Sequence, residues 1–416
     1  MPEPPRRKII PLLSVQQLAT AARKELQFRT PPPLSLYIHI PWCVRKCPYC
    51  DFNSHALPVA GDGEAAPIPE SDYLAALIAD LESALPMIWG RRVDSVFFGG
   101  GTPSLLSGDG VEQLLAAVRS RVPLLPNAEI TLEANPASAE AGKFAAFRAA
   151  GVNRLSIGIQ SFSPRHLKAL GRVHDDQQAR QAIAVAARHF DNFNLDLIYG
   201  LPGQSVDEAL ADVDSALSFA PPHLSCYQLT IEANTAFAAN PPPLPDPDTC
   251  ADMQDAIEAR LAAAGYDHYE TSAFARPGHH CQHNLNYWQF GDYLGIGAGA
   301  HSKLTLHDRV LRQMRWKRPA EYLARVSAGT PLQEEFAVAA ADLPFEFMLN
   351  ALRLLQGFDA PLFELRTSLS LLKIDAELRQ AEDDGLLERH GQRIAPSDRG
   401  RRFLNRLLER FLVERG

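Results

Sequence analysis

The stretch Ser35-Leu-Tyr-Ile-His-Ile-Pro-Trp-Cys-Val-Arg-Lys-Cys-Pro-Tyr-Cys-Asp-Phe-Asn53 places three of the chain's six cysteines on one loop, directly after an apolar strand pattern. Cys43, Cys47 and Cys50 are spaced C-x3-C-x2-C, so three thiolates from one compact loop can converge on one metal centre, and the motif offers no fourth sulfur. A closed zinc site takes four protein ligands, whereas a 4Fe-4S cluster held by three thiolates leaves one iron open to an exchangeable ligand. No Cys/Cys or Cys/His pair elsewhere supplies a zinc ligand at finger-like spacing. A cluster is therefore the expectation, with a zinc knuckle or buried thiols as the alternatives.

At 416 residues and 46% hydrophobic content the chain can build one large domain and a smaller one. A net charge of -8 argues against a protein that coats nucleic acid, which needs a positive face for phosphates. Clustered free thiols suit a reducing compartment, no apolar run reaches membrane-spanning length, and no signal peptide opens the chain. A cytoplasmic location and no integral membrane segment are expected.

Outward from the cysteine loop, strand and helix patterns alternate, as in parallel sheets with crossover helices. Strands are predicted at Leu36–Ile40, Ser95–Phe98, Ile130–Ala134, Leu155–Gln160, Phe193–Tyr199 and Ser225–Ile231. Leu74, Leu77, Ile78, Leu81 and Leu85 form a helical stripe, Ser205 and Glu208 a capping box, and Asp246-Pro247 a helix start. Six such units suggest a partial barrel. The expected divisions are a flexible arm over 1–33 with a helical candidate at Val15–Leu26, the barrel over 34–248, an extension over 249–341, and a helical end over 342–416 with a hairpin around Gly391. That end resembles a winged helix, but its basic and acidic residues are nearly equal in number, and fold alone assigns no DNA binding.

Ligands gather at the carboxyl ends of parallel strands, and the informative residues fall there. Strand two runs into Gly99-Gly-Gly101-Thr102-Pro103, strand three ends at Glu133, strand four at Gln160, strand five carries Asp196, and Arg172 follows strand four. Each alone is as well read as a cap or surface partner; together they describe one pocket. Tyr37 and His39 share the strand-one face opposite Ile38 and Ile40.

The cysteine loop resembles the signature of the radical S-adenosylmethionine enzymes, and Tyr37-Ile-His-Ile-Pro-Trp-Cys43 narrows the resemblance to their coproporphyrinogen dehydrogenase-like branch, from about Leu34 onward. The resemblance implies an α/β fold, a partial (β/α)6 TIM-like barrel with a C-terminal winged-helix-like domain. It further implies a 4Fe-4S cluster on Cys43, Cys47 and Cys50 whose open iron is chelated by S-adenosyl-L-methionine. Carried over position by position, it gives Tyr37, Gly100, Gly101, Thr102, Glu133, Gln160, Arg172 and Asp196 as contacts to that cofactor.

Further on, His279-His-Cys-Gln-His283-Asn-Leu-Asn-Tyr287-Trp288 contains an H-N-x-x-Y-W motif that resembles that of the heme chaperones within the same branch. That resemblance implies heme as a bound group, with His283 the leading iron ligand and Tyr287 and Trp288 a flat apolar wall. Without it, a loop histidine and two core aromatics would be the better reading. The implied partners are heme and a heme-accepting protein, a respiratory, membrane-associated one among the candidates, and no nucleic acid. The alternative function is oxygen-independent coproporphyrinogen III dehydrogenation. Against it, the enzymes of that kind continue to a fourth motif cysteine where this chain has Phe52, and no substrate-binding region is recognisable before Leu34. A cluster-bearing DNA regulator is a third reading, opposed by the acidic charge. The glycine-rich stretch Gly295–Ser302 is expected to line the cofactor pocket.

Overall fold

The computed structural model describes residues 26–58, 65–136 and 141–412. The six predicted strands are present as β1 (Leu34–Ile40), β2 (Val93–Gly100), β3 (Leu124–Ala134), β4 (Arg154–Gln160), β5 (Phe193–Tyr199) and β6 (His223–Gln228), parallel and side by side in chain order. Six residues of β1 are buried and Tyr37 is half-buried, as expected where a parallel strand is covered on both faces.

Helices cross between them: α1 (Glu70–Ala84), α2 (Gly108–Arg121), α3 (Ala141–Ala150), α4 (Pro164–Ala169), α5 (Asp176–His189), α6 (Val206–Leu217) and α7 (Pro247–Ala263). Leu74, Leu77 and Leu81 of α1 bury their stripe against the sheet. Ser205 and Glu208 close a reciprocal capping box on α6, and the Asp246 side chain accepts from Thr249 N–H at the start of α7. The helical candidate Val15–Leu26 lies, but for Leu26, outside the described residues. The expectation of a flexible arm to residue 33 needs correction at its end. Leu26 is buried in the C-terminal core and Pro33 O accepts from Asp292 N–H, because this segment leads straight into a central strand.

The sheet continues past both ends of the six-strand arc. The hairpin β7 (Asp267–Glu270) and β8 (Ala273–Ala275) adds antiparallel to β6 through β8. After α8 (Gln282–Trp288), β9 (Asp292–Ile296) lies parallel to β1 on its free side, followed by β10 (His301–Thr305), β11 (Val310–Arg315), α9 (Pro319–Ser327) and β12 (Leu332–Ala337). The order is β12-β11-β10-β9-β1-β2-β3-β4-β5-β6-β8-β7, an open arc of twelve strands. Ion pairs centred on two buried aspartates hold the added strands. Asp292 bonds Lys303 at 3.0 Å and Arg91 at 2.8 Å, and Asp80 of α1 faces Arg315 at 3.3 Å.

The C-terminal part has its own core of Phe347, Phe358, Phe363, Leu378 and Ile394. It is built from α10 (Leu343–Ala351), α11 (Ala360–Thr367), α12 (Asp375–Asp383) and the small sheet β13 (Phe358–Asp359), β14 (Leu387–His390) and β15 (Arg393–Pro396), whose hairpin turns at Gly391. After the hairpin come two short helices, Asp398–Arg402 and Leu404–Glu409, with a break at Phe403. No helix among the described residues is long and apolar enough to cross a membrane.

Candidate functional site

The carboxyl ends of β1 to β6 surround a cavity of about 380 Å³ lined by Cys43, Cys47, Cys50, Gly100, Gly101, Thr102, Glu133, Gln160, Arg172 and Asp196. The cysteines are free and half-buried, and each sulfur has a polar neighbour: Thr102 Oγ1 donates to Cys43 Sγ at 3.5 Å, Arg172 Nη1 to Cys47 Sγ at 3.6 Å, and Ser54 Oγ lies 3.6 Å from Cys50 Sγ. Burial pushes the Cys43 thiol up, and the Thr102 hydrogen bond opposes that shift. Among the described residues no group of three or more His, Cys, Asp or Glu side chains is set to hold a single metal ion. A cube with an iron at each bound corner asks for sulfurs spread more widely than one ion's ligand shell, and the thiols of one loop beside an open cavity suit it.

The glycine turn is shaped by close backbone approach. Gly100 has φ +114°, and a Cβ there would fall 2.5 Å from the His39 ring; at Gly101 it would fall 2.5 Å from Trp42 O. The turn's N–H groups are committed: Gly100 donates to Glu133 Oε2 at 3.2 Å, Gly101 to Ile40 O and Thr102 to Trp42 O, both at 2.7 Å.

Of the carboxylates in the lining, Glu133 and Asp196 stand on the strands β3 and β5. Burial, reinforced by Asp196, pushes Glu133 up to about 8. Burial also raises Asp196, opposed by hydrogen bonds from Asn194 at 2.8 Å and Ser156 at 3.0 Å. Gln160 sits at φ +69°, a conformation held because Asp212 accepts from Ser161 Oγ and Phe162 N–H, both at 2.7 Å.

Tyr37 is not among the cavity lining. Its hydroxyl donates to His39 Nδ1 at 3.0 Å, while His39 Nε2 donates to Asn53 O at 2.9 Å, which fixes the tautomer. Asn53 in turn donates to Ala298 O and Lys317 O, both at 2.9 Å, so the cysteine loop is tied to the strands beyond β9. Gly295–Ser302 does not line the cavity; it packs behind β1, with Gly297 close to His39 O and Gly299 beneath Asn53.

The H-N-x-x-Y-W segment forms α8, which touches β1, β2 and β9. Asn286 donates to Ser35 Oγ and Asp292 O, at the amino-terminal end of β1, and Glu129 of β3 accepts from His283 N–H at 3.2 Å. The His283 ring is buried, stacked on Phe97 with centroids 4.5 Å apart and bordered by Tyr37 and Tyr287; its Nδ1 has no partner. Burial lowers its pKa to about 3, so the imidazole is neutral. Tyr287 stacks on Tyr293 and Trp288 lies under Arg353, so the two aromatics face different neighbours. The structure thus brings the strand-end residues together with the cysteines and places His283, Tyr287 and Trp288 outside that lining. Tyr49, Ser156, Ile198 and Tyr227 also line the cavity and escaped the sequence reading. For Ser156 a signal existed: it shares a strand face with Gly158 and Gln160.

A Radical SAM superfamily model matches residues 37–216, and a HemN C-terminal domain model matches 338–403. The chain is 50% identical over 385 residues to the heme chaperone HemW of Escherichia coli (strain K12), covering 92% of this chain and 99% of that one. It is 39% identical over 389 residues to the heme chaperone HemW of Mycobacterium tuberculosis (strain ATCC 25618 / H37Rv), covering 91% and 95%. Among solved structures, coproporphyrinogen III oxidase (HemN) from Escherichia coli, a radical SAM enzyme, superposes with a TM-score of 0.77 at 25% identity, over 92% of this chain and 90% of that one.

Proposed function

Because the chain belongs to the HemW family within the radical SAM superfamily, we propose that it holds a 4Fe-4S cluster and S-adenosyl-L-methionine in the strand-end cavity, binds heme, and delivers it to acceptor proteins. The residues present suit these groups. Cys43, Cys47 and Cys50 would hold three irons, and Arg172, whose buried Nε has no partner, is placed to pair with a carboxylate. Since the N–H groups of Gly100, Gly101 and Thr102 are spent, that turn offers a ligand its carbonyl oxygens and so suits an ammonium. Glu133 and Asp196 supply acceptors for hydroxyls and for positive charge, Gln160 an amide, and Tyr37 acts behind them by holding His39. When bound, the cluster supplies one-electron reduction of the cofactor.

The observation that favours heme delivery over coproporphyrinogen turnover is at position 52. The enzymes that carry out that turnover have a fourth motif cysteine there, whereas Phe52 is a hydrocarbon ring, 60% exposed, at the cavity. His283 remains the leading heme ligand: its neutral imidazole has an unoccupied Nδ1, and α8 must shift from Phe97 and Tyr37 before iron can reach it. His279, His280 and Cys281 stand close enough in sequence to substitute. Anaerobic reconstitution followed by assays of cofactor cleavage, heme binding and coproporphyrinogen turnover on one sample tests the reading. Heme binding without porphyrinogen turnover is expected, and multiple-turnover product formation overturns it.

A further inference from the structure

Behind Asp196 a row of buried polar side chains crosses the sheet. Ser156 of β4, Asn194 of β5 and His223 of β6 are register neighbours, and Gly158, Asp196 and Ser225 form the next row toward the carboxyl ends of the strands. The Asn194 amide nitrogen donates to Asp196 Oδ1 and to Ser156 Oγ, both at 2.8 Å, and Ser156 Oγ donates to Asp196 Oδ2 at 3.0 Å, so one amide fixes both carboxylate oxygens. With that amide turned round, its oxygen would face Asp196 Oδ1, setting two acceptors in contact. Asn194 Oδ1 accepts from His223 Nδ1 at 2.6 Å and from Ser225 Oγ at 3.0 Å. His223 Nε2 lies 2.8 Å from the Tyr269 hydroxyl, which accepts from Cys281 N–H at 3.2 Å.

Burial, with the Arg154 charge next, holds the His223 pKa well below its ordinary range, so the ring carries a single proton. Asn194 Oδ1 can only accept, which puts that proton on Nδ1, and Nε2 accepts from the Tyr269 hydroxyl. The donors therefore all point one way, from Tyr269 through His223 and Asn194 to Asp196. We propose that His223 is a positioning residue for the cofactor site, its Nδ1–H holding the Asn194 amide in the orientation that keeps Asp196 fixed at the cavity as an acceptor. The assignment rests on the reading of that cavity as the S-adenosyl-L-methionine site. His223 is not among the residues that line it and acts through Asn194. A hydrocarbon at position 223 leaves Ser225 as the one remaining donor to Asn194 Oδ1 among the described residues, and frees the amide to turn.

The test measures S-adenosyl-L-methionine binding to cluster-reconstituted protein by equilibrium dialysis. His223→Leu should bind about tenfold more weakly than wild type, whereas His223→Asn, whose amide nitrogen can replace Nδ1–H, should stay within about threefold. A space-filling role for His223 predicts the reverse order, since leucine suits a buried site better than an asparagine with unpaired groups. Cluster absorbance should be equal in all three proteins; a weakening that follows cluster loss overturns the assignment. Nitrogen NMR of wild type labelled at histidine, with the His223 signals identified by their absence from His223→Asn, reads the tautomer even where His223→Leu does not fold. Nδ1–H is expected, and Nε2–H overturns the chain. Equal binding by wild type and His223→Leu, or equal losses in the two variants, overturns the positioning while leaving the cofactor in the cavity. Failure of wild type with a full cluster to bind S-adenosyl-L-methionine removes the cofactor reading and the positioning with it.

Discussion

Replacing Glu133 with glutamine should stabilise the ligand-free protein at alkaline pH and leave it nearly unchanged at acidic pH. In the fold Glu133 keeps its proton to about pH 8, against 4.5 for the free group, because burial and then Asp196 oppose its charge. Between those values the folded state binds the extra proton, so wild-type stability falls as pH rises from about 4.5 to about 8 and levels off above. At about 1.4 kcal/mol per pH unit the interval sets a ceiling of about 5 kcal/mol. Water in the open cavity screens the group, and we expect roughly 2 kcal/mol. Glutamine matches the protonated form in shape and cannot ionise. The assay is urea unfolding of both proteins at pH 5 and pH 9, followed by tryptophan fluorescence. The variant's advantage should grow by about 2 kcal/mol between the two conditions, and saturating S-adenosyl-L-methionine, whose positive charges the proposed site sets beside Glu133 and Asp196, should flatten the wild-type slope. Parallel stability curves for the two proteins would refute the argument that Glu133 ionisation opposes the fold.

Alanine at Cys43, Cys47 or Cys50 should abolish cluster absorbance after reconstitution; full cluster uptake by the triple variant defeats the thiolate assignment. Gly101→Ala puts a methyl carbon against the Trp42 carbonyl, a backbone atom that cannot turn away, and should cost about 1–3 kcal/mol and lower cluster occupancy, read as iron per chain. Asp80→Ala strands Arg315 and removes the acceptor for Tyr322 and Gly297; a loss of about 3–5 kcal/mol in unfolding experiments is expected. Heme spectra of His283→Ala and of the triple His279/His280/Cys281→Ala variant should both differ from wild type, with the larger change in His283→Ala. Identical spectra for all three place the ligand elsewhere.

The strand-end cluster was legible because it obeys a local rule: parallel strands point their last side chains to one end, and the polar residues stood at those ends. Depth was not legible. Alternation puts Tyr37 and His39 on the inward face, but it cannot tell a residue that reaches the cavity from one that lies beneath and spends its hydroxyl on its neighbour. The burial of His283 depends on Phe97 and Glu129, more than 150 residues earlier in the chain. The Gly295–Ser302 stretch reads as a pocket lining by composition, yet its glycines admit His39 and Asn53 from behind, a long-range fit that a single stretch cannot announce. The break at Phe403 likewise follows from packing, since the stretch 398–414 holds no proline and its one glycine, Gly400, lies in the helix before the break.

The amide of Asn53 clamps the cysteine loop to carbonyls at Ala298 and Lys317, 245 and 264 positions later. During synthesis the loop therefore leaves the ribosome long before its clamp exists. At roughly 5–20 residues per second the delay is about 13–50 s, in which three thiols are carried on a turn that lacks its Asn53 clamp. A cell that loads metal during this window meets reactive sulfur without its cage, whereas one that loads afterwards meets a finished socket. The timing of iron delivery relative to translation thereby becomes a property written into the position of one asparagine.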